Sequence, residues 1–115
     1  MERVTRADDR VHRPAGPWTP TVHHLLAHLH EQGFVAAPEP IALGDVLETV
    51  TFVPGTAGNY PWTAEIASEA ALVTSARLLR QYHDAAATYP RSAADVWSQA
   101  ERLPVETIVH GDFAP

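Results

Sequence analysis

The chain has 115 residues, 45% of them hydrophobic, and a formal net charge of −6, which suits one domain with an ordinary core and argues against nucleic acid as the main partner. Cysteine is absent, which excludes disulfides and thiolate metal sites. No run is apolar enough to cross a membrane and the N-terminus lacks a secretory stretch, so the expectation is a cytoplasmic protein with no membrane partner.

All eight basic side chains are Arg. Chemistry that needs a Lys amine is closed, and a cationic contact to an anion would be a planar guanidinium fork.

In chain order, Arg3–Ala7 and Arg10–Arg13 read as two short strands around the Asp8-Asp9 turn. Pro14 to Trp18 is a loop by its Pro and Gly content. Thr19 is expected to cap a helix with Pro20 at its first position, and Val22, Leu25, Leu26 and Leu29 share one face. Gly33 ends that helix and Phe34 packs back on it. Leu47–Val53 alternates and is rich in β-branched residues, which predicts a strand, or a hairpin with Ile41–Leu43, closed by Pro54-Gly55. Ser68 is placed to cap a long helix whose stripe is Leu72, Ala76, Leu79, His83 and Ala86, stopped at Tyr89-Pro90. A shorter helix is expected over Ala93–Arg102 and a brief strand over Glu106–Val109. The order of elements predicts an α+β fold.

Two features invite a chemical reading. In the first helix His24 and His28 lie four apart, and His23 and His30 seven apart. Zinc needs three or four protein ligands and nothing completes a set, so these histidines read as a solvated face opposite the leucines. Trp18, Trp62 and Trp97 lie in or beside loops and read as packing residues. The second feature is the C-terminal run, where Thr107-Ile108-Val109 leads into His110-Gly111-Asp112 and Phe113-Ala114-Pro115. A strand that delivers a carboxylate into a tight loop is what phosphoryl transfer to an alcohol requires at the acceptor hydroxyl.

The run Glu106–Pro115 resembles the catalytic loop of the aminoglycoside phosphotransferase and choline kinase-like family, which shares the protein-kinase fold. Val11–Pro20 is similar to the third N-lobe strand running into its helix, Phe52–Gly55 to the hinge, and Leu78–Ala85 to the long C-lobe helix. The resemblance implies a partial kinase-like N-lobe and hinge over residues 1–55, with one packed helix, and the first helices of a C-lobe over 56–115. It implies transfer of the ATP γ-phosphoryl group to a hydroxyl on a small molecule, with Mg²⁺. Asp112 would be the catalytic base, with His110 and Gly111 supporting the loop. His12 or Arg13 would contact phosphates, and Phe52 and Val53 would flank adenine. The family's loop continues to a metal-binding Asn and a later Asp, whereas this sequence stops at Pro115. It also lacks the glycine-containing phosphate turn before Arg3. The expectation is therefore an incomplete kinase with little phosphotransfer of its own. The alternative is a non-catalytic truncated product or small interaction module derived from a kinase, self-associating through exposed apolar surface.

Overall fold

A computed structural model describes residues 3–55, 61–99 and 108. Four strands and two helices follow one another as β1 (Thr5–Ala7), β2 (Arg10–Pro14), α1 (Thr19–Glu31), β3 (Pro40–Leu43), β4 (Leu47–Thr51) and α2 (Glu69–Ala86). The strands form one antiparallel sheet in the order β1-β2-β4-β3. The α+β expectation therefore holds; the finer kinase-like layout is a separate matter of scaffold.

The first hairpin turns through Asp8, whose φ of 53° is left-handed. Asp tolerates that region better than most residues because its short side chain bonds locally. Arg6 Nε donates to the Asp8 carbonyl at 2.8 Å, and Arg10 pairs with Asp9 at 3.1 Å. The second hairpin joins β3 to β4 through a turn closed by Gly44 N–H donating to Leu47 O at 2.9 Å. Pro40 opens β3 at the sheet edge, where its missing N–H costs no ladder bond.

Register divides the sheet into two faces. Val11 pairs with Val50 and Arg13 with Glu48, so these four project to one side. His12 pairs with Thr49 and projects to the other. Helix α1 covers the first face. Leu25, Leu26 and Leu29 are buried with Val50, and Val11 and Val22 pack around them. Ala85, Ala86 and Tyr89 complete the core, with Phe34, Tyr82, Trp97 and Ile108 against its margin.

The ends of α1 show why it spans these residues. Thr19 lies inside the helix, after an N-cap at Trp18 that has no side-chain cap bond. The expected Thr19 cap is thus corrected. Its hydroxyl instead accepts from Gly16 N–H at 2.8 Å while Thr19 N–H donates to Gly16 O at 3.0 Å. This reciprocal pair ties the loop to the helix. At the far end Gly33 takes φ 84°, Gly33 N–H donates to His30 O and Phe34 N–H to Leu29 O. Those two bonds make a Schellman stop, which satisfies carbonyls that the helix leaves open.

Helix α2 begins as expected, with the Ser68 hydroxyl accepting from Ala71 N–H at 3.1 Å. Its inward stripe differs from the expected one. Leu72, 69% exposed, and Ala76 face outward, while Leu79, His83 and Ala86 of the expected stripe are partly or fully buried together with Ala71, Ser75, Tyr82 and Ala85. Only the last turn reaches the core, so docking of Ala85, Ala86 and Tyr89 sets the helix's rotation. The helix expected from Ala93 does not form over residues 93–99, where 93–94 make a turn, 98–99 a bend and 95–97 are irregular. There Asp95 carboxylate accepts from Ser92 N–H at 2.9 Å and Ser92 hydroxyl from Ala94 N–H at 3.1 Å. Such side-chain bonds to nearby backbone compete with a helical ladder. Ile108 is not in a strand; the rest of the expected Glu106–Val109 strand lies outside the described residues.

Candidate functional site

Where α1 leaves the sheet, a cleft of about 350 Å³ opens at the Pro14 end of β2. Val4, Trp18 and Val22 form apolar walls, and Arg13, Thr19 and Glu48 supply polar atoms. Pairing of Arg13 with Glu48 across β2 and β4 brings two opposite charges side by side on the helix-covered face.

The polar groups form a small network. Glu48 is buried, with 8% of its surface exposed, and its Oε1 lies 2.8 Å from His23 Nε2 and 3.4 Å from Arg13 Nη2. When Glu48 is ionised its oxygen can only accept, and His23 Nε2 is then the donor of this contact. The shorter contact makes His23 the tighter partner. Arg13 makes the longer contact, and its Nε is buried with no acceptor among the described residues. A buried donor without a partner costs on the order of 1–3 kcal/mol. Trp18 is kept at the rim by the lack of a side chain at Gly16, since a Cβ there would lie 2.6 Å from the indole ring.

The expected site residues scatter. Arg13 lines the cleft. His12 lies on the opposite sheet face, where its Nδ1 is 2.9 Å from Thr49 Oγ1. Phe52 and Val53 follow the other end of β4, where Phe52 N–H donates to Asp9 O and Arg6 stacks 3.6 Å over the Phe52 ring. Four residues of strand, about 13 Å at 3.3 Å each, separate that end from Arg13. Arg13 is therefore not gathered with His12, Phe52 and Val53. His110, Gly111 and Asp112 lie outside the described residues.

The histidines of α1 are not the solvated face expected of them. His23 is buried against Glu48, His28 Nε2 lies 3.1 Å from Ala85 O and 2.9 Å from Thr88 Oγ1, and His30 Nε2 donates to Ala37 O at 2.8 Å. They join α1 to β4, to the end of α2 and to the loop before β3. His24 alone among them is exposed. Among the described residues, no three His, Cys, Asp or Glu side chains gather where they could share a metal ion. No described helix is long and apolar enough to cross a membrane.

Among the described residues, the fold is a two-layer α+β arrangement with a partly apolar cleft lined by the Arg13 guanidinium and the buried Glu48 carboxylate. The chain is 36% identical over 98 residues to the trifolitoxin immunity protein of Rhizobium leguminosarum bv. trifolii. That match takes in 82% of this chain and 36% of the relative, so the chain spans about a third of the length of the curated protein it matches. No family model matches, and no solved structure matches.

This comparison overturns the kinase reading. The relative is named for immunity and not for phosphotransfer, so the expected kinase family, the phosphotransferase activity and the ATP-binding role are withdrawn. The alternative of a non-catalytic remnant or interaction module derived from a kinase finds no support either. ATP, Mg²⁺ and a hydroxyl-bearing acceptor were implied by the resemblance alone and are not carried forward. Pro-Gly closes strands of any function, and three residues such as His110-Gly111-Asp112 fix too few side chains to define a site.

Proposed function

We propose that this chain serves in immunity, protecting a cell against a toxin, as the name of its relative says of that protein. The observation that carries the reading is the 36% identity running through 82% of this chain. Identity spread over most of a chain supports a shared role better than any isolated motif.

The cleft suits binding better than chemistry. Glu48, its carboxylate, is engaged by both His23 and Arg13, which leaves it poorly placed to take a proton from a substrate. The apolar walls of Val4, Trp18 and Val22 offer a surface on which part of a ligand can shed water. The finer expectation for the scaffold, an N-lobe-like sheet with one packed helix, concerns architecture only. The order of strands and helix is compatible with it, and a fold does not carry an activity with it.

The test is growth in the presence of toxin. Trifolitoxin-sensitive cells making this chain should grow closer to a toxin source than cells with an empty vector. Equal sensitivity, in cells shown to accumulate the folded chain, would contradict the proposal.

A further inference from the structure

Arg13 is under-used for a guanidinium at the mouth of a cleft. It offers five N–H donors. Its recorded partner is Glu48 at 3.4 Å, while Glu48 is held more closely by His23. Its Nε has no acceptor among the described residues, and its side chain remains 36% exposed. The neighbouring walls are apolar on both sides, with Val4 just before β1, and Trp18 and Val22 at the start of α1. A side chain with a buried unpartnered donor gains from a small shift that hands that donor an acceptor.

From this geometry we infer that the cleft binds a monoanionic carboxylate attached to a carbon that bears an apolar side chain, with Arg13 as the anchor and Trp18 and Val22 against the apolar group. Arg and carboxylate match as two forks, so a single cation can orient such a group through parallel hydrogen bonds. Charge selects the monoanion. The cleft holds one guanidinium, and Glu48 beside it would repel the second charge of a phosphate dianion. The inference is independent of the immunity reading, because it names a chemical group and not a toxin.

The carboxylate could belong to the end of a peptide or to a free acid. Binding is measured on the whole chain through the Trp18 indole N–H resonance, with N-acetyl-leucine, N-acetyl-leucine amide, 4-methylpentanoate and inorganic phosphate as probes. N-acetyl-leucine should bind at least about tenfold more tightly than its amide, and phosphate should not compete with it. Preference for N-acetyl-leucine over 4-methylpentanoate indicates a peptide end, and the reverse a free acid; both support the site. Arg13→Gln should abolish the difference between acid and amide. Equal binding of acid and amide, displacement by phosphate, or no binding by any probe would overturn the inference. The acid–amide comparison uses the unaltered chain, so a folding defect in a variant does not affect it.

Discussion

At Glu48 a buried carboxylate, a buried histidine and a guanidinium meet in one place. Replacing Glu48 with Ala leaves His23 buried without its acceptor and Arg13 without its recorded counter-ion. Removing one partner of such a cluster costs more than the cluster's net worth, because the others keep their desolvation penalty. Glu48→Ala should lose about 3 kcal/mol of unfolding free energy in urea titration, and Glu48→Gln less, since an amide oxygen can still accept from His23. A Glu48→Ala change below about 0.5 kcal/mol would mean that the cluster adds nothing. The pairing was partly legible in the sequence. Glu48 and Val50 alternate on one side of a predicted strand, and an acid sharing a face with a core valine needs a partner. Counting from Thr19, His23 and Leu26 recur on the helical stripe, which puts His23 toward the sheet. Register could not be read, because which residue of β2 meets Glu48 depends on β4 pairing with β2 across the intervening helix and hairpin.

Two tyrosines set a pH dependence at the same scale. Burial pushes the Tyr82 phenol above its ordinary value near 10. Burial, then the charge of Asp95 and a hydrogen bond to it, push Tyr89 the same way. The folded chain therefore holds these protons at pH values where the unfolded chain has released them. Their contribution is complete below the unfolded value of about 10 and is lost as pH rises through the raised folded values. Stability followed by circular dichroism should fall on the alkaline side of about pH 10, and Tyr82→Phe should make that fall shallower. An unchanged alkaline slope in Tyr82→Phe would show that Tyr82 is not linked to folding.

Among the elements, β1, β2, β3, β4 and α1 follow from alternation, helical period and turn chemistry, because each is short and closed by its own local signals. Asp8-Asp9, Gly33 and Ser68 all stand where their residue types predict. The phase of α2 did not follow, since several small and apolar residues occur around it and its docking is decided by Ala85, Ala86 and Tyr89 at one end. A pair of substitutions separates the two assignments of the stripe. Ala86 is 4% exposed, so Ala86→Leu should overpack the core and cost about 1–3 kcal/mol. Leu72→Glu, at the exposed position, should change stability by less than about 0.5 kcal/mol. A larger loss from Leu72→Glu in thermal or urea unfolding would restore the stripe expected from the sequence. The turns at Ser92–Asp95 show the same lesson from the other side. Helix-forming composition over Ala93–Trp97 yielded to hydrogen bonds that Ser92 and Asp95 make with nearby backbone.

For the whole molecule, the sheet and α1 hold a cleft whose contents are a cation, an engaged carboxylate and apolar walls. Its place was not legible beforehand, because it depends on Val4, Arg13 and Glu48 lining up from just before β1 across β2 and β4 while Trp18 and Val22 close over them. Function was less legible still. The His110-Gly111-Asp112 ending suggested a reaction, whereas similarity across the chain pointed to immunity. A short motif constrains a few residues, while 36% identity spread over 98 aligned positions samples the surface and the core together. The most direct measurement replaces the matching segment of the trifolitoxin immunity protein with the matched part of this chain and scores growth of sensitive cells across a toxin gradient. The immunity account predicts that the chimera protects at toxin levels approaching those tolerated with the parent protein. A chimera that accumulates in folded form and leaves cells as sensitive as the empty vector would contradict it.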